Sequence, residues 1–225
     1  MAPLGAVVVI DTATWSSRRV LSPGDATAIA VSPDGRVLAV GYASGDIDLA
    51  DAGTYRGQHR LHVNGAVRAI AFSDDGARLA AVGGSRRLDV WDPRNGEEVL
   101  AGPPSFAGAG VSVRWRPGTH TAVYGGDDGQ VTLYDTDSAV QRGVSLPVFA
   151  DAGAGDVQIA PVTDGRLALF PGWRNIGQTR EGIVYPLDPA DWLAHACSIV
   201  RRDLTEAEWN VYLPTRPYRP TCGES

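Results

Sequence analysis

The 225-residue chain contains no lysine, so each of its 20 basic side chains other than histidine is an arginine. Nucleotide-binding P-loops and protein kinases both need a lysine that contacts the nucleotide phosphates, so a chain without lysine contains neither kind of site. Acidic side chains outnumber basic ones and give a net charge of −6, which disfavours a nucleic-acid-binding surface. Together with abundant alanine and glycine, this composition is typical of GC-rich bacterial genomes.

The sequence also lacks any apolar run approaching the roughly 20 residues that span a bilayer. Its first ten residues are too short, and lack the basic start, to form a secretory signal. We therefore expect a cytoplasmic protein that does not bind a membrane. Only two cysteines are present, which excludes a disulfide-rich scaffold, and the 44% hydrophobic content is that of an ordinary folded domain.

A pattern of three short strands joined by two tight turns recurs along the chain. Its clearest copy covers residues 69–92, where the apolar runs are separated by Asp75-Gly76 and by Gly83-Gly84. Asp-Gly between apolar runs predicts a tight turn with positive φ at the glycine. A second copy at residues 28–51 precedes the first by 41 residues, without a gap.

Two further copies follow, at residues 111–135 and, more weakly, at 157–185, where the first turn falls at 163–165. Residues 6–11 have the pattern of a third strand, so the chain is predicted to begin in the middle of a repeat. Three strands cannot bury both faces of their own sheet, so the copies must stack. A period near 41 residues with short strands is typical of β-propeller blades.

The Ser-Pro-Asp-Gly turn, the glycine-rich second turn and the closing Val90-Trp91-Asp92 resemble WD40 repeats. Only residues 69–92 keep the Trp-Asp pair, and the family's Gly-His pair before the first strand is absent. The resemblance implies that this copy supports part of the family's internal hydrogen-bond network, around Ser73 and Trp91. The residues assigned a structural role are Asp34, Gly35, Ser73, Asp75, Gly76, Trp91 and Asp92.

We therefore predict an all-β fold, an open and partial WD40 propeller of about four blades with a short C-terminal helical tail. The predicted boundaries are a half-blade at 1–22, blades at about 26–64, 65–105, 108–150 and 155–187, and the tail at 188–225. Outer strands are expected near 56–61, 97–101 and 140–148. The alternative is that the N-terminal segment closes the ring. Exposed sheet ends in an open arrangement would favour homo-oligomers.

The C-terminal tail has helical signals. Asp188-Pro189 predicts a helix start, and Thr205 with Glu208 forms the capping box of a second, shorter helix. Apolar side chains expected to be buried are Trp192, Ala196, Ile199 and Val200 on the first helix and Trp209, Tyr212 and Leu213 on the second. We predict that Cys197 and Cys222 lie close and pin the tail to the first helix. The alternative is two unrelated buried thiols, and a bond between them is disfavoured in a reducing cytoplasm.

The tail resembles the extreme C-terminus of large actinobacterial WD40 proteins, in which the propeller follows a STAND NTPase or Ser/Thr kinase domain. The resemblance implies a non-catalytic scaffold or sensor module of a bacterial signalling system, which binds a protein or peptide and needs no cofactor. One alternative is a truncated C-terminal fragment of such a regulator. Another is an enzyme with a propeller active site, although the sequence shows no convergent acid, base, nucleophile or metal set.

Function on a propeller depends on turns and loops, so the candidate contact residues are Arg36, Arg86, Arg87, Arg114 and Arg116. His59 and His62 are three apart on a predicted strand and face opposite sides, which disfavours a metal site. The carboxylate pairs Asp74-Asp75 and Asp127-Asp128 lie in predicted turns, where aspartate bonds locally. Five tryptophans are expected in the core: Trp91, Trp115, Trp173, Trp192 and Trp209.

Overall fold

A computed structural model describes residues 7–19, 25–100, 104–147, 157–162, 166–171, 183–186 and 188–222. Two compact units divide the chain: Met1–Pro161 with Ala168–Ile183, and Val162–Leu167 with Val184–Ser225. The predicted turn at 163–165 and Trp173 lie outside the described residues. Neither helix of the described part is long and apolar enough to cross a membrane.

The strands are mostly short, and neighbouring strands from β1 to β13 that pair within a sheet run antiparallel. Their bounds are β1 Val8–Ile10, β2 Ser17–Arg19, β3 Ala26–Val31, β4 Val37–Tyr42, β5 Asp46–Asp51, β6 Gly57–His62, β7 Val67–Phe72, β8 Leu79–Gly83, β9 Leu88–Trp91, β10 Gly110–Trp115, β11 Thr121–Gly126, β12 Gln130–Asp135, β13 Val140–Pro147, β14 Val157–Val162, β15 Arg166–Pro171 and β16 Ile183–Pro186.

The sheets follow the chain order as propeller blades do. The half-blade is β1-β2, blade 1 is β3 to β6, blade 2 is β7 to β9, blade 3 is β10 to β13, and blade 4 is β14 to β16. We name the strands of a blade a, b, c and d from first to last, so that the half-blade holds positions c and d. The predicted all-β, partial propeller with its antiparallel sheets is confirmed.

The Asp-Gly turns between strands a and b form as the sequence predicts. Ser32 Oγ donates to Asp34 Oδ1 over 2.6 Å in blade 1, and Ser73 Oγ donates to Asp75 Oδ1 over 2.6 Å in blade 2. Gly35 has φ +71° and Gly76 has φ +68°, the left-handed region that glycine adopts without strain. Blades 1 and 2 therefore share this small network, although the sequence singled out blade 2 alone.

A second repeated turn joins strands c and d, and the N-terminal segment contains it as well. The aspartate after strand c accepts backbone N–H groups of the turn at four places: Asp11, Asp51, Asp92 and Asp135. Four residues further on, φ is positive in each case: Trp15, Tyr55, Gly96 and Ala139. The same contacts of an aspartate side chain thus shape this turn at all four places, whether or not a tryptophan precedes the aspartate.

Stacking of adjacent sheets builds the core. Trp91, at 6% exposure, packs with Leu79 and Ile70 of its own blade against Ile47 and Leu49 of blade 1. A second cluster joins blades 2 and 3 through Val90, Tyr124 and Trp115. The tryptophan acts here as an apolar side chain, while the hydrogen bonds of Ser73 remain within its own turn.

Single hydrogen bonds join the first strands of neighbouring blades. Thr27 Oγ1 donates to Val67 O over 2.6 Å, between blades 1 and 2. Trp115 Nε1 donates to Ala71 O over 2.9 Å, between blades 2 and 3, and Ser112 Oγ donates to Val157 O over 2.6 Å, between blades 3 and 4. We call these contacts, with the apolar packing beside them, the seams.

The predicted outer strand at 97–101 is wrong for the described residues. Blade 2 has three strands there, and the segment after its last turn makes isolated bridges in place of a fourth strand, Glu98 to Trp91 and Ser105 to Arg87. Val99 N donates to Val90 O and Phe106 N donates to Arg86 O, each over 2.8 Å. Between these two bridges the sequence has Pro103-Pro104, which have no N–H to donate to a continuous ladder. The other two predicted outer strands are β6 and β13.

The second unit contains both predicted helices, α1 Pro189–Val200 and α2 Glu206–Tyr212. Asp188 accepts from Ala190 N at the start of α1, and the capping box of Thr205 and Glu208 opens α2. Trp209 is 3% exposed, and its indole donates to Arg216 O over 2.9 Å. The helix starts and the burial of Trp209 are confirmed.

The predicted burial of α1 is wrong. Trp192 is 40% exposed, and Ala196, Ile199 and Val200 are exposed as well. Tyr212 of α2 is 72% exposed. A unit of this size cannot cover all the apolar side chains that helical spacing places on one stripe. Trp91 and Trp115, by contrast, are buried as predicted.

Cys197 and Cys222 form a disulfide, with their Cα atoms 5.4 Å apart. Their predicted proximity is therefore confirmed, the alternative of two unrelated thiols is wrong, and the bond that the sequence disfavoured is present. The carboxylate of Asp203 accepts from Thr221 N over 2.7 Å and from Cys222 N over 2.6 Å, so backbone bonds hold the chain end in the same place. The tail is fixed to α1 by this bond and to the loop after it by Asp203.

Replacing Trp91 with alanine is expected to lower the free energy of unfolding by about 3–5 kcal/mol, because it removes a large buried side chain between two blades. The matched control is Trp15→Ala, since Trp15 is 79% exposed; we expect a change within about 0.5 kcal/mol. Thermal and urea unfolding measure both. A native-like melting temperature for Trp91→Ala would contradict this assignment.

The repeated turn between strands c and d gives a reciprocal pair of variants. Ala139 has φ +54°, which strains a residue with a Cβ, so Ala139→Gly is expected to stabilise by about 0.5–1 kcal/mol. Gly96 has φ +75° at the equivalent place, so Gly96→Ala is expected to destabilise by about 1 kcal/mol. Urea midpoints test the pair, and equal signs for the two changes would refute it.

Candidate interaction groove

A groove of about 470 Å3 lies between the turns of blades 2 and 3. Its walls come from three turns: β7–β8 supplies Asp74 and Asp75, β10–β11 supplies Thr119 and His120, and β12–β13 supplies Asp137. We call the side of the propeller that carries the a–b and c–d turns the turn face. The groove lies on this face, where loop residues rather than strand residues meet a partner.

His120 joins two blades at the centre of the groove. Its Nε2 is 2.9 Å from Asp75 Oδ2 in blade 2, and its Nδ1 is 2.9 Å from Asp137 Oδ2 in blade 3. The backbone of His120 is fixed too, because its carbonyl accepts from Thr136 N over 3.0 Å and from Thr136 Oγ1 over 2.9 Å. The histidine therefore has one position, set by both of its neighbours.

Further contacts fix the groove walls. The Asp74 carboxylate accepts from Gly118 N over 2.9 Å, which ties the two a–b turns together. Arg78 approaches Asp137 from blade 2, with NH2 3.5 Å from Oδ1. The ring of Trp115 meets that of His120 edge-on, with centroids 6.4 Å apart. The groove is thus built directly over the seam between blades 2 and 3.

The electrostatics of the groove follow from these contacts. The hydrogen bond to Asp75 raises the pKa of His120 above its usual value, and the bond to Asp137 adds to this. The Ser73 hydroxyl, followed by the Ala77 N–H and His120, lowers the pKa of Asp75 far below its usual value. These contacts therefore favour the ionised form of Asp75 and the charged form of His120.

A second groove, of about 440 Å3, lies next to the first on the turn face, between the turns of blades 1 and 2. Asp34 and Arg94 line it, and it shares Asp74 and Asp75 with the first groove. Arg94 is held by Asp92, whose pKa is lowered to about 2 by the Arg94 hydrogen bond. The two grooves together run along three successive blades, and the second also has apolar walls, from Pro33, Val37, Phe72 and Pro93.

This arrangement suits binding rather than proton transfer. Both ring nitrogens of His120 face carboxylates, and its raised pKa disfavours the neutral form that a general base needs. The Thr119 hydroxyl donates to Arg116 O over 3.0 Å, so its proton is directed at a backbone carbonyl. Within the described ranges, no group of three or more His, Cys, Asp or Glu side chains is placed to hold a metal ion.

The structure does not bring the five candidate arginines together. Arg36 and Arg116 lie in a–b turns on the turn face, Arg86 and Arg87 lie in the b–c turn of blade 2 on the opposite side, and Arg114 lies within strand β10. Arg36 is the most exposed member with an ion pair, 3.9 Å from Asp34. They remain predictions as contact residues, and they do not form one site.

The two histidines that the sequence singled out also separate. His59 Nε2 is 3.1 Å from Arg94 O of blade 2, whereas His62 Nδ1 is 3.0 Å from Asp46 Oδ1 of its own blade. Their spacing on β6 puts them on opposite sides, as expected for a strand. Neither belongs to the groove.

Sequence reasoning missed His120, the central residue of the groove. One local signal was available: blade 3 has Arg116-Pro117-Gly118 where blades 1 and 2 have Ser and Asp, so its a–b turn lacks their carboxylate. A histidine just after such a turn can use the carboxylate of a neighbouring blade instead. Its partners lie 45 and 17 residues away, so no short pattern reveals them.

The groove should respond to pH through His120. The pKa of His120 is higher in the folded protein than in the unfolded chain, where it is near 6.5. The contribution of His120 to stability is therefore complete below about pH 6.5 and is lost as pH rises through the pKa of the folded state. We expect His120→Ala to lose about 1 kcal/mol at pH 6, after allowance for solvent screening, and less at pH 9. His195→Ala, which removes an exposed imidazole of α1, is the control. Urea unfolding across this pH range measures both, and a pH-independent difference for His120→Ala would contradict the assignment.

Comparison with known proteins supports the fold. Residues 53–92 match the family model described as "WD domain, G-beta repeat". A 104-residue stretch is 32% identical to the U3 small nucleolar RNA-associated protein 18 homolog of Arabidopsis thaliana. That stretch covers 46% of this chain and 19% of the relative, so the chain spans about a fifth of that protein's length.

Solved propellers share the architecture at low sequence identity. The structure of U3-55K superposes with a TM-score of 0.58 at 18% identity, over 75% of this chain and 54% of that one. The Cps50 (Swd1) β-propeller domain from Myceliophteria thermophila gives 0.55 at 16% identity, over 67% and 55%. The chain thus spans about half of each solved chain. It has the fold of a partial WD40 β-propeller and carries a WD40 repeat at residues 53–92.

Proposed function

We propose that this chain is a non-catalytic interaction module that binds a protein segment in the groove on its turn face. The observation that carries the proposal is His120, which is held between Asp75 and Asp137 and so shapes a fixed, polar groove across two blades. WD40 propellers generally mediate protein–protein interactions, and the chemistry of the groove favours binding over catalysis. A preformed groove of this kind costs little ordering on binding.

The charge of the groove favours a basic partner segment. Carboxylates of Asp34, Asp74, Asp75 and Asp137 line the two grooves, together with the His120 imidazole and the Arg94 guanidinium. The chain as a whole carries −6, so long-range attraction acts in the same direction. We therefore propose an extended peptide with arginine or lysine side chains as the ligand.

The cellular role is a further part of the proposal. The C-terminal residues, which resemble the ends of actinobacterial WD40 regulators, support a scaffold or sensor of a bacterial signalling system in the cytoplasm. The same resemblance leaves the alternative of a C-terminal fragment of a STAND NTPase or kinase-linked regulator. Inspection of the coding region just upstream, for an NTPase or kinase reading frame, decides between these two.

A second candidate role comes from the relatives. The Arabidopsis relative is named for its association with small nucleolar RNA, and U3-55K is among the similar structures. This chain could accordingly serve as a subunit of an RNA-associated assembly. The acidic surface favours attachment through a protein of such an assembly, so nuclease treatment should leave the captured protein in place.

Site-specific crosslinking tests the groove. A photo-reactive amino acid at Thr119, which lines the groove, is expected to crosslink the bound segment, whereas the same group at Arg86, on the opposite side of blade 2, is not. His120→Ala should reduce the yield at position 119 several-fold, because the wall loses its link between blades. Equal yields at 119 and 86, or a yield unaffected by His120→Ala, would refute this site.

A further inference from the structure

The loop that follows α2, residues 213–222, carries two arginines and no acidic side chain. We call it the basic loop. Residues 214–220 are all exposed, and residues 217–220 form neither helix nor strand. Three of its residues are prolines, which fix φ and have no N–H to donate, so the segment cannot join a helix or a central strand. It therefore lies on the surface as an irregular, proline-rich segment.

Contacts inside the second unit hold the basic loop in one shape. The Trp209 indole donates to Arg216 O over 2.9 Å, and the Tyr218 hydroxyl donates to Leu204 O over 3.0 Å. The rings of Trp209 and Tyr218 meet edge-on, with centroids 5.7 Å apart. The disulfide of Cys222 fixes the far end of the loop. A segment that is already ordered loses little conformational entropy when it binds a partner.

The guanidinium groups of the basic loop are left for a partner. Arg202, on the loop after α1, is already engaged by Glu208 over 2.7 Å. Arg216 and Arg219, by contrast, form no ion pair with any other residue that the structure describes. A proline-rich extended segment has three residues per turn, so positions three apart lie on the same side. The loop therefore presents two cations together, while Tyr218 contacts its own unit.

The two grooves on the turn face have the complementary chemistry. Asp75 belongs to both grooves, and Asp137 lines the first. Their side chains are 54% and 56% exposed, although each is bonded to His120. Because a carboxylate has about four acceptor positions, both keep room for a guanidinium. The second groove adds apolar walls, such as Pro33 and Phe72, of the kind on which proline-rich segments pack.

We infer that the basic loop of one copy of this chain binds in the two grooves of a second copy. Arg216 and Arg219 lie against the carboxylates of Asp75 and Asp137, and the prolines of the loop lie against the apolar walls. A planar guanidinium bonds a carboxylate through two N–H groups, which suits arginine at both positions. The inference rests on the proposed function, because it names the basic segment that the turn face binds.

The contact is heterologous, because the loop and the grooves are different surfaces of the chain. A pair of copies therefore retains one unused loop and one unused groove, so association continues head to tail into open chains or a closed ring. Each copy carries a net charge of −6, so the copies repel one another at long range. We accordingly expect association only at high protein concentration.

Isotope-coded crosslinking identifies the occupant of the groove. A heavy-isotope-labelled full chain carries the photo-reactive amino acid at Thr119 and is mixed with unlabelled chain. We expect crosslinks from position 119 to unlabelled residues 213–222. Arg219→Glu in the unlabelled chain should reduce their yield at least about tenfold, because an attraction becomes a repulsion of like charges. Arg86→Glu, which changes the charge equally on the opposite side of blade 2, is the matched control and should leave the yield unchanged.

Two variants test the direction of the contact. The double variant Arg216→Ala, Arg219→Ala disables the loop, and both side chains are exposed, so the chain should fold normally. Asp137→Arg disables the groove. By light scattering, each variant alone should stay monomeric at concentrations where the wild type associates. Their mixture should form a one-to-one dimer and stop there, because one intact loop meets one intact groove.

Three results would overturn the inference. One is crosslinks that reach residues 213–222 of the labelled copy alone, since the loop would then occupy its own groove. Another is a wild-type chain that stays monomeric at every concentration. The last is association that Arg219→Glu leaves unchanged, or a mixture of the two variants that forms no dimer.

A synthetic arginine-containing peptide of unrelated sequence separates this inference from the proposed function. When the peptide crosslinks at position 119 of a chain that does not self-associate, the groove binds basic segments and the inference alone is wrong. When neither the peptide nor a second copy crosslinks there, the proposed function is wrong as well. Crosslinking of both, with competition between them, is the result we expect.

Discussion

The fold depends on the burial of one sheet face by the next sheet along the chain. Each sheet of three or four short strands is too small to be stable alone, and its apolar face is covered only when another blade stacks on it. The seams determine how the blades meet: Thr27, Trp115 and Ser112 each bond a carbonyl of the neighbouring first strand. The blades must also approach each other closely: a Cβ on Gly41 of blade 1 would come within 2.5 Å of the Val67 side chain of blade 2.

Much of this architecture could be predicted from the sequence because its signals are local. Asp34-Gly35 and Asp75-Gly76 specify turns through their own backbone needs, and Asp11 specifies the turn of a half-blade without help from a tryptophan. The helix starts at Asp188 and Thr205 are local in the same sense. Each depends on bonds between residues two or three apart, which is the range that a sequence pattern covers.

The features that escaped prediction depend on residues far apart in the sequence. His120 gains its role from Asp75, 45 residues earlier, and the exposure of Trp192 depends on what surrounds α1. The bond between Cys197 and Cys222 depends on how residues 203–222 fold back, which Asp203 controls. The candidate arginines lie apart for a similar reason. Residue type alone does not show on which face of the propeller a turn lies.

The seams have a consequence for how the propeller comes apart. Because each one joins a blade only to its immediate neighbour, the described blades behave as a linear series whose stability is a sum of single-blade and nearest-neighbour contributions. Opening then begins at an end, and its free-energy cost grows blade by blade toward blade 2, which has a seam and an apolar cluster on both sides. A destabilising change at one end therefore lowers the stability of the adjacent blade strongly and that of a blade two positions away only weakly. A closed ring would not show this gradient.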